Sequence, residues 1–161
     1  MSQRLVATTI LFVLVFSGSI ATAQMPNPYG SPISLDNAKK AAAASIAEAR
    51  KNNWTMAVAV TDAAGHLVYF ERIDGTQVAS SVVAINKARS AAVYKRPTKT
   101  FQDALAAAGE GLRILRLEGA VAVDGGLPLI MDGKIVGAIG VSGGTSAQDG
   151  QAAKPGAEAL K

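Results

Sequence analysis

The chain has 161 residues, with 16 basic and 12 acidic side chains, one histidine, no cysteine and a formal net charge of +4. The basic residues are scattered, so the charge does not indicate the clustered stripe that binds nucleic acid. The lack of cysteine excludes disulfide bonds and thiolate chemistry, and one histidine cannot build a multi-histidine zinc site.

The first 23 residues predict a secretory signal peptide. Arg4 supplies the positive charge, Leu5 to Phe16 is the apolar segment, and Ala21-Thr22-Ala23 fits a small-residue cleavage site. The apolar segment is shorter than the about 20 residues that span a bilayer, so we favour cleavage over the alternative, an uncleaved membrane anchor. We therefore expect a periplasmic or secreted protein with no membrane span after cleavage.

The residues after the predicted cleavage site begin with a proline-rich stretch. We expect an extended leader over 24–33 and one domain over 34–161. Ser34 is a suitable N-cap for a helix that ends near Asn52. Three- and four-residue spacing predicts its buried stripe, which consists of Leu35, Ala38, Ala42, Ile46 and Ala49.

A β-hairpin is predicted next, with strands over 54–61 and 66–72. The turn between them is Asp62-Ala63-Ala64-Gly65. His66 follows that turn, where its side chain should be reachable. An imidazole in such a place can act as a haem ligand or a general base, and the alternative is a solvated turn residue.

Two further helices are predicted over 77–94 and 98–107, separated by Pro97. The expected buried stripe of the first consists of Val78, Val82, Ile85, Ala88 and Ala92. Residues 112–117 fit a short helix or a strand equally well.

The last third of the chain predicts the rest of the sheet and a final helix. Val121 to Val123 should begin the last sheet segment, and residues 127–141 should form a hairpin around Asp132-Gly133, a turn that needs positive φ at both positions. Residues 146–161 indicate a terminal helix interrupted at Pro155-Gly156. Hairpins covered by helices indicate the α+β class, because a doubly wound α/β sheet would need strand–helix alternation throughout.

Several charged side chains are candidates for ligand binding. Asp62 and Arg72 flank the first hairpin, where they could orient a polar ligand or form a structural pair. Lys87 lies among small apolar residues and could hold a carboxylate or propionate, unless its stem packs on the core with the ammonium in water. Asp149 is in the first turn of the last helix, where a carboxylate is stabilised and a purely structural role is the alternative. Flat aromatic ligands could contact Tyr29, Tyr69, Tyr94 and Met131.

Taken in order, these segments resemble the GlcG/HbpS family of haem-binding-type domains, which also occurs as the C-terminal domain of PduO-type proteins. The matching segments are 57–68, 72–75, Asn86-Lys87-Ala88-Arg89-Ser90-Ala91-Ala92, Pro97-Thr98, Gly125-Gly126-Leu127-Pro128-Leu129, 136–144 and Gln148-Asp149. The resemblance implies an antiparallel five-stranded, profilin-like sheet flanked by helices. It also implies homo-oligomers and, for some members, binding of haem or another tetrapyrrole.

Two functions follow as hypotheses. The first is an exported, oligomeric binding protein for haem or a related small molecule, with His66 as the axial iron ligand and Arg72 or Lys87 near the propionates. The second is an enzyme acting on a small organic acid or aromatic metabolite, with Arg72 and Lys87 as a carboxylate clamp and His66 or Asp62 as the base. A third hypothesis is an assembly or sensor partner without a ligand.

Overall fold

A computed structural model of the protein describes residues 27–160. The predicted signal peptide and the start of the leader lie outside these residues. The described elements are α1 (Leu35–Lys51), β1 (Ala57–Asp62), β2 (Leu67–Arg72), α2 (Ala79–Val93), α3 (Thr98–Ala106), a 3₁₀ helix (Gly109–Arg116), β3 (Gly126–Met131), β4 (Lys134–Ser142) and α4 (Ser146–Glu158). Among them, no helix has the length and apolar character needed to cross a membrane.

The four strands form one antiparallel sheet in the order β2-β1-β4-β3. Alternate residues of β1 face opposite sides of this sheet. Val58 and Val60 are buried in the larger core with α1 and α4, whereas Ala57 and Ala59 pack against α2. The sheet therefore separates two helical layers, and α2 is the long helix on the second side.

The α+β class is confirmed, but the described sheet has four strands and not five. Residues 121–123, predicted to begin the last sheet segment, lie outside the sheet. Side chains accept the backbone donors at the start of this segment and just after it. The N–H of Val121 donates to Ser90 Oγ, and the N–H of Asp124, the residue after the segment, donates to Gln102 Oε1. Gly125 then turns the chain with φ +112°, so pairing begins only at the next residue.

The described part of the leader contacts the start of β4. The Gly30 N–H donates to the Ile135 carbonyl, and the Ile135 N–H donates to the Pro28 carbonyl, both at 2.8 Å. These bonds form a single parallel bridge around Tyr29 rather than a further strand. They position Tyr29 beside the first hairpin.

Helix α1 agrees with its prediction except at its first residue. The Ser34 hydroxyl accepts a hydrogen bond from the Asn37 N–H, and the predicted alanines and Ile46 are buried. Leu35 is 49% exposed instead of buried. Helical side chains tilt toward the N-terminus, so the side chain of a first residue extends past the end of its helix.

The predicted buried stripe of α2 is correct for Ala88 and Ala92, which are buried, and wrong for Val78 and Val82. Val78 and Val82 are 83% and 62% exposed, and the buried face consists of Ser80, Ala84, Lys87, Ala88, Ser90, Ala91 and Ala92. Side-chain size explains the difference. A Cβ on Gly140 of β4 would meet the backbone of α2 at Ala84 and Ala88. The helix lies so close to the sheet that only small residues fit between them.

The turn of the last hairpin agrees with its prediction, whereas the last helix agrees only in part. Asp132 and Gly133 have φ values of +49° and +71°, as the predicted turn requires. The predicted interruption at Pro155-Gly156 is wrong, because α4 continues to Glu158. The missing side chain of Gly156 lets α4 lie directly against α1 at Ala41 and Ser45. Residues 109–116, partly undecided from sequence, form the 3₁₀ helix.

We expect Ala84→Val to lower the free energy of unfolding by about 1–3 kcal/mol, because the added methyl groups have no space against β4. Ala43→Val places the same substitution on an exposed position of α1 and should cost less than about 0.7 kcal/mol, a propensity effect. Urea unfolding monitored by fluorescence of the single tryptophan measures both. Equal losses would contradict the close helix–sheet contact.

Candidate functional site

Asp62 and His66 meet at the tip of the first hairpin. One carboxylate oxygen, Asp62 Oδ1, accepts the backbone N–H groups of Ala64 and His66, both at 2.9 Å. The other, Oδ2, lies 3.2 Å from His66 Nδ1. The side chain of His66 is 77% exposed, so its imidazole can be reached from solvent.

The environment of Asp62 favours its ionised form. Partial burial would raise its pKa, but hydrogen bonds from the His66 backbone and ring, together with the Ala64 N–H, outweigh this and lower the pKa below its usual value. Asp62 is therefore an ionised acceptor at neutral pH.

An apolar cavity of about 290 Å³ lies beside this turn, lined by Tyr29, Pro32, Asp62, Ala63 and Ala64. Its wall is fixed by Tyr29, whose hydroxyl donates to the Ala92 carbonyl. Burial raises the pKa of Tyr29, so its phenol stays protonated. The imidazole of His66 is not part of the lining, although its carboxylate partner is.

Two cationic residues from α2 and the segment after it contact the same region. Arg89 Nε donates to the Gly65 carbonyl at 3.3 Å. The ammonium of Lys95 lies 4.0 Å from the centre of the Tyr29 ring, within the range of a cation–π contact. We refer to His66, Asp62, Tyr29, Arg89 and Lys95 as the hairpin-tip site. The sequence singled out neither Arg89 nor Lys95, because it does not tell which helix covers the turn.

The structure places Arg72 at the other end of β2 from His66. They are six residue steps apart along extended chain, roughly 20 Å at the rise of a strand. Arg72 is exposed and pairs with Ala57, so it lies on the side of the sheet that α2 covers. The chain therefore does not bring its imidazole and this guanidinium into a shared cleft.

Lys87 and Asp149 form a buried ion pair with each other. Lys87 Nζ lies 2.6 Å from Asp149 Oδ2 and also donates to the Val141 carbonyl at 3.0 Å. Their side chains are 0% and 4% exposed. The second carboxylate oxygen of Asp149 accepts the Gly144 N–H at 2.9 Å.

Burial dominates the electrostatics of this pair. It lowers the pKa of Lys87 and raises that of Asp149, while the contact between the two groups opposes both shifts. Neither group can reach a ligand in this arrangement, because both are enclosed by protein. The pair braces α2 against the start of α4.

Gly125, just before β3, and Gly126, its first residue, lie close to this pair and to α2. A Cβ on Gly125 would lie 2.8 Å from Asp149 Cβ and 3.0 Å from Lys87 Nζ. A Cβ on Gly126 would meet Thr98 and the backbone of Lys87. Gly125 therefore passes directly over the ion pair, and Gly126 lies against the backbone of α2, so neither position has room for a side chain.

In the part of the chain that the structure describes, no three His, Cys, Asp or Glu side chains form a cluster that could hold a metal ion. A single imidazole can still hold haem iron, because haem proteins can use one proximal histidine. The hairpin-tip site has the chemistry for that role.

Comparison with known proteins gives a consistent result. The family model described as "Haem degrading protein HbpS-like" matches residues 33–158. A 15.0 kDa protein of Citrobacter freundii from the dhaT-dhaS intergenic region is 38% identical over 119 residues, which cover 73% of this chain and 84% of that protein. Protein GlcG of Escherichia coli K12 is 38% identical over 100 residues, covering 62% of this chain and 73% of GlcG.

Solved structures share the fold. HbpS superposes with a TM-score of 0.73 and 31% identity, covering 88% of this chain and 99% of HbpS. The PduOC:heme complex gives a TM-score of 0.72 and 26% identity, over 81% of this chain and 96% of PduOC. Klebsiella pneumoniae protein ORFY gives a TM-score of 0.74 and 29% identity, covering 86% of this chain and 97% of ORFY.

Replacing one partner of the buried pair should be costly. Lys87→Met leaves the Asp149 carboxylate buried without its cation, so we expect a loss of about 3–5 kcal/mol in the free energy of unfolding. Adding Asp149→Asn removes the unpaired charge and should recover part of that loss. Urea denaturation of both variants and the parent measures the effect.

The control is Lys99→Met, which removes the cation of the exposed pair between Lys99 and Asp103, whose side chains are 54% and 59% exposed. It should cost less than about 1 kcal/mol. A similarly small loss for Lys87→Met would show that the buried pair does not hold the fold together.

Proposed function

The chain belongs to the HbpS-like family, and from that premise we propose that it is an exported, oligomeric binding protein for haem or a related small molecule. The observation that carries the proposal is the exposed imidazole of His66, paired with a carboxylate beside an apolar cavity. Support also comes from a structural neighbour, PduOC, which was solved as a haem complex. Export follows from the predicted signal peptide.

The residues of the hairpin-tip site fit haem. His66 is the single histidine of the chain and would hold the haem iron through a ring nitrogen. The apolar surface of Tyr29 and Pro32 suits the porphyrin, and Arg89 and Lys95 are the cations for its propionates. Bound haem would supply an iron centre capable of ligand binding or electron transfer.

This assignment changes the expected propionate partners. Arg72 lies at the opposite end of β2, and the ammonium of Lys87 is engaged with Asp149 and Val141. Arg89 and Lys95 take the place of Arg72 and Lys87 in the proposal. The same geometry removes the carboxylate clamp of the enzyme hypothesis, so we do not carry that alternative forward.

Exposed apolar side chains support the oligomer. On the outer side of α2, Val78 and Val82 are 83% and 62% exposed. Leu112 and Leu115 of the 3₁₀ helix are 52% and 68% exposed. Exposed large apolar side chains are typical of contacts between proteins, so we propose that a second copy covers the outer side of α2. The cavity at the hairpin tip, about 290 Å³, is at the small end for a ligand pocket.

Titration of the purified protein with hemin should produce a shifted Soret band, and His66→Ala should weaken hemin binding by more than tenfold and alter the band. Arg72→Ala is the matched control, because Arg72 is an exposed residue at the far end of β2, outside the hairpin-tip site. It should bind like the parent. Identical Soret spectra and affinities for the parent and His66→Ala would overturn the role of His66.

Val78→Asp combined with Val82→Asp should lower the native mass toward that of one chain, because burying two charges in a subunit contact is strongly unfavourable. Leu35→Asp is the control, since Leu35 is an exposed apolar residue on α1, on the other side of the sheet. Native mass spectrometry at fixed concentration measures the change. An unchanged mass in the double variant would exclude this face as the subunit contact.

A further inference from the structure

We propose that Asp62 is a positioning residue for His66, which holds the imidazole in the tautomer protonated at Nδ1 and leaves Nε2 as the ligand atom. The inference rests on the proposed function, in which His66 binds haem iron. It assigns a specific task to the carboxylate at the hairpin tip.

The hydrogen-bonding chemistry of the two side chains fixes the tautomer. An ionised carboxylate only accepts hydrogen bonds, so the ring nitrogen that faces Asp62 Oδ2 must be the donor. That nitrogen is Nδ1, at 3.2 Å. In a neutral imidazole the lone pair then lies on Nε2, the atom remote from the backbone. Metal-binding histidines use the same arrangement, in which a carboxylate orients the ring and raises its basicity.

The carboxylate is itself held in place by the residue that it orients. Asp62 Oδ1 accepts the backbone N–H of His66 as well as that of Ala64. Since Oδ2 contacts the ring, the two oxygens bind both the main chain and the imidazole of His66. Rotation of the carboxylate would break three contacts together. Asp62 therefore cannot reorient without releasing both the turn and the imidazole.

Helix α2 packs against the turn that precedes His66. Gly65 has φ +86°, and a Cβ at this position would lie 2.9 Å from the side chain of Arg89 and 3.3 Å from that of Val93. Arg89 also donates to the Gly65 carbonyl. The turn that carries His66 is therefore fixed to α2, although the imidazole itself is exposed to solvent.

Asp62→Asn tests the assignment with little change in shape. The amide oxygen can still accept the two backbone N–H groups, so the turn is retained. The amide nitrogen then faces His66 Nδ1 and donates to it, which moves the ring proton to Nε2. Asp62→Ala removes the acceptor without adding a donor and should give the tautomer mixture of an unrestrained imidazole.

The first readout needs no haem. Long-range ¹H–¹⁵N correlation spectra at about pH 8, where an ordinary imidazole is neutral, report the tautomer of the single histidine directly. We expect the Nδ1–H pattern in the parent and the Nε2–H pattern in Asp62→Asn. An Nε2–H pattern in the parent, or no change in the variant, would overturn the proposal.

The second readout is hemin affinity. Loss of a carboxylate that orients a metal-binding histidine typically costs 10- to 100-fold, so we expect about that weakening in Asp62→Asn. Asp74→Asn, at the exposed turn that follows β2, is the control and should bind like the parent. Failure of the parent to bind hemin would overturn the haem function, whereas the spectra would still decide whether Asp62 sets the tautomer.

Discussion

The buried ion pair between Lys87 and Asp149 is the interaction on which the arrangement of the two helical layers depends. It joins α2 on one side of the sheet to the start of α4, whose later turns pack on the other side. Both groups are removed from water, so each needs its partner and the backbone groups of Val141 and Gly144 to remain satisfied. Such contacts are directional, and they leave one position for α4 relative to the end of β4.

The chemistry of the molecule is divided between the two ends of the sheet. At one end, Lys87 and Asp149 are enclosed by protein and paired with each other. The end with the first hairpin is open, and there the imidazole of His66, the ring of Tyr29 and the guanidinium of Arg89 lie at or near the surface. This division explains why His66 can contact a ligand whereas Lys87 and Asp149 cannot, although the sequence marks all three as candidates.

Features that depend on neighbouring residues could be predicted from sequence, and features that depend on distant segments could not. The Ser34 cap, the turn at Asp132-Gly133 and the strands of the first hairpin follow from local rules. The buried side of α2 depends on Gly140, more than fifty residues later, whose lack of a side chain brings the helix close to the sheet. The partner of Lys87 is equally remote, so the sequence could mark this lysine as unusual without revealing that another charge neutralises it. The contact between Asp62 and His66 joins residues only four apart, so it could be predicted from the local sequence.

The alanine-rich contact between α2 and the sheet has a consequence for divergence. Its inner side has no room for larger side chains, so accepted changes in this helix should collect on the side that carries Val78 and Val82. That side does not determine how the chain folds. Related proteins could therefore acquire different quaternary arrangements through drift at these few positions while the monomer keeps its shape.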